Sequence, residues 1–156
     1  MAARGKSARK RKPRLGRVLV VEDDALLAME LEDALNDGGA EHVAVCDSVA
    51  AAMAELERMR PDVLILDVHL ADRDDGWAMA ELVTQLSPKP PVIVFSTATP
   101  ETIPEEIAKL GAVMGKPYRT ETLIATLQKH RRKPGLLARL RDALASDGQR
   151  ASSGSV

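Results

Sequence analysis

Aromatic residues are nearly missing from this chain: one Trp, one Tyr and one Phe make up 2% of its 156 residues. A core must therefore be built from Val, Leu, Ile, Ala and Met, and the apolar share of 45% is large enough for one. A single cysteine, Cys46, excludes an internal disulfide. In its Val/Ala-rich surroundings it reads as a small buried hydrophobe, and the expected setting is reducing and cytoplasmic. No apolar run nears the roughly 18 residues of a membrane span, so no membrane contact is expected. No apolar h-region or cleavage site follows the basic N-terminus, so no secretory signal is expected.

The net charge of −1 hides an asymmetry. Residues 1–17 carry eight basic residues (Arg4, Lys6, Arg9, Lys10, Arg11, Lys12, Arg14 and Arg17) and no acid, whereas all 23 acids lie beyond them. Residues 1–16 are expected to form a basic, disordered tail, 17–131 a folded domain, and 132–156 a C-terminal extension. Within the extension, 135–146 places Leu136, Leu137, Leu140, Ala143 and Leu144 on one side of an amphipathic helix. The Ser/Gly-rich end is expected to be flexible.

From residue 17 the pattern is regular. Val18–Val21, His42–Cys46, Val63–Leu66, Val92–Phe95 and Ala112–Met114 are short, β-branched-rich runs that read as strands. Helices are expected between them. The first is capped by Asp24, with Leu27, Leu31 and Leu35 at helical spacing. The second is capped by Asp47 or Ser48, runs to Arg60 and faces inward through Val49, Met53, Leu56 and Met59. The third spans roughly 74–87 through Trp77, Ala80, Leu82, Val83 and Leu86. A short fourth starts at Pro100 or Pro104. The fifth spans Thr120–His130, with Leu123, Ile124 and Leu127 inward. Five β-α units with apolar strands imply a parallel sheet covered on both faces. A flavodoxin-like (βα)5 doubly wound α/β fold with strand order 2-1-3-4-5 is expected.

Such sheets bind ligands at the carboxyl ends of their strands. There the first strand ends in Glu22-Asp23-Asp24, the third in Asp67, the fourth in Ser96-Thr97 and the fifth in Lys116-Pro117. Crowded carboxylates repel one another, and a divalent cation resolves the conflict. With only oxygen donors on offer, a hard ion such as Mg²⁺, or another divalent cation such as Mn²⁺, is expected. An Asp carboxylate can act as nucleophile and form an aspartyl phosphate, with a lysine and a hydroxyl to meet the phosphoryl oxygens.

The segments VLVVEDD (18–24), PDVLILDV (61–68), DG (75–76), VIVFSTA (92–98) and GKPY (115–118) resemble, in order and spacing, the receiver domains of two-component response regulators. The resemblance covers residues 17–131. It implies that Asp67 is the phosphoacceptor, that Asp23 is a direct metal ligand and that Glu22 acts on the metal through water. It further implies that His69 lends a backbone carbonyl to the metal, that Lys116 contacts the phosphoryl group and that the Lys116–Pro117 bond is cis. The implied partners are a sensor histidine kinase or a histidine phosphotransfer protein, and an unidentified downstream protein. The His69 side chain is expected to be exposed beside the site, and Asp24 to serve as a cap.

Several positions depart from the family pattern. The loop after Asp67 lacks the usual proline and is one residue longer, with Asp72, Asp74 and Asp75 expected to be solvated. Counting from Pro91 or back from Gly111 points to Ser96 as the switch hydroxyl. The Thr-Ala dipeptide points to Thr97, which is slightly preferred. Phe95–Ala98 partly resembles the Phe-Ala-Thr-Gly signature of a subgroup of single-domain alphaproteobacterial regulators. Val113 stands three before the lysine, where the family carries an aromatic switch. Output is therefore expected through the surface around the fourth helix, the fifth strand and the fifth helix, without an aromatic rotamer flip. The loop at Thr99–Glu101 is expected to move as a backbone unit, with Tyr118 as a surface reporter.

Residues 132–156 are too few for a helix-turn-helix or catalytic output domain, so a stand-alone receiver acting by protein–protein contact is expected. It would not be an enzyme beyond its own phosphorylation and dephosphorylation. A Mg²⁺-dependent phosphatase with an Asp nucleophile is the second reading, but haloacid-dehalogenase-type hydrolases carry that Asp on the first strand. A third is a regulator that binds nucleic acid through its basic tail, which would be non-specific and salt-dependent; nucleic acid is not the expected partner.

Overall fold

The computed structural model describes residues 14–70 and 76–132. Strands β1 (Gly16–Val21), β2 (Ala40–Cys46), β3 (Val63–Asp67), β4 (Val92–Thr97) and β5 (Ala112–Gly115) alternate with helices α1 (Ala25–Asp37), α2 (Val49–Met59), α3 (Gly76–Leu86), α4 (Glu105–Ala108) and α5 (Thr120–Arg132). The strands form one sheet in the order β2-β1-β3-β4-β5, with every neighbouring pair parallel. This is the flavodoxin-like order expected from the alternation.

The strands begin earlier or end later than the apolar runs alone suggest. Backbone hydrogen bonding, not hydrophobicity, sets these limits. Gly16 opens β1 at φ 73, a left-handed backbone that glycine adopts without a Cβ penalty. Leu15 is fully buried and donates its backbone N–H to the Gly39 carbonyl at 3.1 Å. The fold therefore takes in Leu15 and Gly16, which the sequence reading assigned to the tail. Residues 1–13, the helix expected at 135–146 and Asp72, Asp74 and Asp75 lie outside the described residues.

Side chains alternate across each strand and divide the core into two layers. On one face Val18, Val20, Val63, Ile65 and Val94 meet Leu31 and Leu35 of α1 and Leu123 and Leu127 of α5. On the other, Leu19, Val21, Leu64, Leu66, Ile93 and Phe95 meet Ala52 and Met59 of α2, Met79, Ala80 and Val83 of α3, and Ile107 of α4. Each fully buried leucine contributes about 1.5–3 kcal/mol of transfer free energy.

The helix caps follow side-chain chemistry. Asp24 accepts from the Leu27 N–H at 3.0 Å, and Ser48, not Asp47, accepts from the Ala51 N–H at 3.1 Å. Arg60 ends α2 in the left-handed region at φ 44. Two inward faces differ from expectation. In α3 the buried apolar stripe is Met79, Ala80 and Val83, whereas Leu82 and Leu86 are exposed. In α2, Val49, Met53 and Leu56 are only partly buried, and Ala52 and Met59 are the buried positions. After β4 both prolines are used: Pro100 opens a 3-10 turn (Pro100–Thr102) and Pro104 caps α4. Proline has no N–H to donate and its φ is fixed, so Pro104 separates the two turns.

Candidate functional site

The carboxyl ends of β1, β3, β4 and the segment after β5 meet at one edge of the sheet. Glu22 follows β1 and is 3% exposed; Asp67 ends β3 and is 6% exposed. Lys116 directly follows β5, and the Lys116–Pro117 bond after it is cis, as the resemblance implied. Its Nζ donates to Glu22 Oε2 at 3.0 Å and to Asp67 Oδ2 at 3.3 Å. Its backbone N–H donates to the Thr97 carbonyl, which ties the lysine to the end of β4.

Two further hydrogen bonds orient the carboxylates. Glu22 Oε1 accepts from the Asp24 N–H at 3.1 Å, and Asp67 Oδ1 accepts from the His69 N–H at 3.0 Å. Burial pushes the Glu22 carboxyl above its ordinary value, and the Asp67 charge adds to this against the hydrogen bonds from Lys116 and Asp24. Burial pulls the Lys116 ammonium down, but the hydrogen bond to Glu22 and the charges of Asp67 and Glu22 outweigh it and hold the group above its ordinary value.

Carboxylate oxygens of Glu22, Asp23 and Asp67 lie within 4.8 Å of one another. Three carboxylate oxygen donors brought this close together are a set that a hard divalent cation fits. Asp23 is exposed and opens the cluster to solvent, while the other two carboxylates are buried. Gly76 starts α3 behind this edge: a Cβ there would stand 3.3 Å from the Asp67 carbonyl oxygen.

The two candidate hydroxyls separate by strand alternation. Ser96 is the register partner of Asp67 and shares the parity of Val94, which faces α1 and α5; Asp67 shares that of Ile65 on the same face. Thr97 shares the parity of Phe95 and faces the α2–α4 layer. Both hydroxyls are engaged. Ser96 Oγ lies 2.9 Å from the Tyr118 hydroxyl, and Thr97 Oγ1 accepts from the Thr99 N–H at 3.1 Å. The slight sequence preference for Thr97 therefore finds no support in the strand geometry.

The His69 side chain is exposed, and its Nε2 lies 2.9 Å from Thr99 Oγ1, which bridges the loops after β3 and β4. Thr99 Oγ1 also lies 3.2 Å from Thr102 Oγ1. The residues the sequence nominated thus gather at one edge. Tyr118 was nominated only as a surface reporter, and its hydrogen bond to Ser96 spans 22 residues with no local signal.

The arrangement is an open parallel α/β sheet with buried carboxylates and a lysine at its carboxyl edge. The pattern described as "Response regulator receiver domain" matches residues 18–128, and the chain belongs to this family. The sensory transduction protein LytT of Bacillus cereus is 33% identical over 120 residues, covering 75% of this chain and 48% of LytT. The chain thus spans about half the length of that relative. The chemotaxis protein CheY of Thermotoga maritima is 25% identical over 115 residues, covering 72% of this chain and 95% of CheY. Among solved structures, the CheY-like receiver domain from Methylobacillus flagellatus superposes with a TM-score of 0.65 at 22% identity, over 73% of this chain and 97% of that one. This last likeness is one of fold. No helix among the described residues is long and apolar enough to cross a membrane.

Proposed function

We propose that this protein accepts a phosphoryl group on Asp67 from a sensor histidine kinase or a histidine phosphotransfer protein in the cytoplasm and signals by contact with a downstream protein. An oxygen of the Asp67 carboxylate attacks the phosphorus of a phosphohistidine. The P–N bond breaks, the imidazole leaves and an acyl phosphate forms. Hydrolysis reverses the state: water attacks phosphorus, inorganic phosphate leaves and the carboxylate is restored. The chain catalyses no other reaction in this reading.

Glu22, Asp23, Asp67 and the His69 carbonyl would hold Mg²⁺ or another divalent ion such as Mn²⁺. The ion supplies positive charge that offsets the carboxylates and the incoming phosphoryl oxygens. Lys116 stays charged beside Asp67 and neutralises a phosphoryl oxygen. Ser96, on the Asp67 side of β4, is the hydroxyl that reaches the phosphoryl group in preference to Thr97.

The observation that carries this reading is the buried Asp67 carboxylate, paired with Lys116 at 3.3 Å and clustered with Glu22 and Asp23. The test is incubation with acetyl phosphate and Mg²⁺ followed by intact mass. One phosphoryl adduct is expected, absent in Asp67→Asn and in excess EDTA. An Asp67→Asn protein that labels with the same acid and base lability overturns the assignment.

A further inference from the structure

We propose that Tyr118 holds the Ser96 hydroxyl away from Asp67 in the unphosphorylated protein and releases it on phosphorylation, so that the Tyr118 phenol couples the site to the surface. The inference rests on the reading of Asp67 as phosphoacceptor.

Its basis is the position of Ser96 between two alternative partners. β4 lies between β3 and β5 in the sheet. Asp67 ends β3 on one side of Ser96, and Tyr118 follows β5 on the other. Ser96 is fully buried, and its Oγ is 2.9 Å from the Tyr118 hydroxyl. A buried hydroxyl takes a partner where it finds one, and a serine Oγ occupies one staggered position at a time. Turning toward a phosphoryl oxygen on β3 carries the Oγ away from the β5 side, and the bond to Tyr118 is given up. The phenol is suited to the resting role. It packs against the core layer shared with Val94, Leu123 and Leu127, on the face that Ser96 addresses. Burial keeps it above its ordinary titration value and so neutral at physiological pH.

Position 113 cannot take this part. Val113 is register partner of Phe95, packs on the opposite layer and carries no polar atom. Thr97 cannot take the part of Ser96, because its Oγ1 faces that opposite layer and caps the Thr99 N–H. Tyr118 is therefore a positioning residue: it acts on the phosphoryl group only through Ser96. Removing the phenol oxygen leaves the Ser96 hydroxyl without its resting partner. The penalty of that unpaired hydroxyl falls on the unphosphorylated state alone, which shifts the equilibrium toward the phosphorylated arrangement.

The test uses beryllofluoride with Mg²⁺, which stands in for the phosphoryl group, on the full chain. Binding is followed by fluorine NMR for the wild type, Tyr118→Phe, Ser96→Ala and the double variant. Tyr118→Phe is expected to bind about 2- to 10-fold more tightly than wild type. The Ser96→Ala protein and the double variant are expected to bind equally, because Tyr118 has nothing to act through once Ser96 is gone. Unchanged affinity in Tyr118→Phe overturns the proposal. So does an equal shift in the Ser96→Ala background, which is what a merely structural role of the ring gives. A second readout uses the wild type alone. Tyr118 is the chain's one tyrosine, so ring-labelled protein gives a single phenol carbon signal. On beryllofluoride binding that signal is expected to move toward its position in free Ser96→Ala; a signal that stays in place overturns the proposal. A wild type that binds beryllofluoride no better than Asp67→Asn overturns the phosphoacceptor reading and this inference with it.

Discussion

On one face of the sheet α1 and α5 each run 13 residues, and Leu31, Leu35, Leu123 and Leu127 are fully buried beneath them. On the other face, past the end of β4, a three-residue 3-10 turn is followed by a four-residue α4, whose buried residue is Ile107 at 6% exposure. The two faces flank the same acidic edge, yet they differ in what a rearrangement would break. Moving α1 or α5 strips two fully buried leucines from the core at once. Moving the segment from Ala98 to Ala108 disturbs short local turns and two isoleucines, Ile103 and Ile107. Local opening free energies follow this kind of difference, and switching elements are drawn from the weakly held end. The difference predicts a scaffolding role for the helices α1 and α5 themselves and a responding one for the segment after β4.

Removing a buried side chain from each face gives the largest expected contrast. Leu127→Ala should cost about 3–5 kcal/mol in chemical denaturation, whereas Ile107→Ala, in a segment able to collapse around the vacancy, should cost about 2 kcal/mol. Equal losses would mean that the α4 segment is packed as tightly as α5, and the contrast would fall.

Lys116→Ala comes next. It leaves Glu22 and Asp67 buried without their shared cation, which should destabilise the metal-free protein by about 3 kcal/mol. Mg²⁺ should still bind and recover most of that loss, because the lysine balances charge without holding the metal. Mg²⁺ titration of thermal stability reads this directly. A variant that no longer responds to Mg²⁺ would reverse the assignment.

The effect of pH at Glu22 is smaller and has a definite sign. Its carboxyl is raised in the fold, chiefly by burial. The folded, metal-free protein therefore holds this proton more firmly than the unfolded chain. The associated stability is fully present below the unfolded value and is lost as pH rises through the folded one. A bound cation needs the carboxylate, so Mg²⁺ affinity should fall as pH is lowered through the raised Glu22 value. Removing Glu22 by Glu22→Gln should flatten that dependence, and an unchanged pH profile would place the titrating group elsewhere. The smallest effect belongs to the exposed Lys109–Glu105 pair at 3.4 Å, where Glu105→Ala should change stability by less than about 0.5 kcal/mol.

Much of this arrangement was legible in the sequence, because strands buried on both faces declare themselves as apolar runs. The chemistry at their ends then follows from the rule that ligands sit at the carboxyl edge. Asp24 and Ser48 were readable as caps because a short polar side chain before an apolar helical pattern has one obvious use. The α3 face was misjudged because every third or fourth residue from Trp77 to Leu86 is apolar, and only tertiary packing selects Met79, Ala80 and Val83 from that surplus. The choice between Ser96 and Thr97 depends on strand parity, which a one-residue shift reverses and which the motif left open. The bond from Ser96 to Tyr118 depends on a strand crossing and a turn after β5, and neither leaves a mark at positions 96 or 118.

The central claim is that charge placed on Asp67 is expressed in the segments that follow β4 and β5, while α1 and the body of α5 stay as they are. Hydrogen exchange on the free protein and on its beryllofluoride complex tests it most directly. Changed protection is predicted in residues 96–104, extending to Val113–Tyr118, with α1 and the body of α5 unchanged. Changes confined to α1 or to the C-terminal residues beyond α5, with residues 96–104 unaffected, would contradict the account.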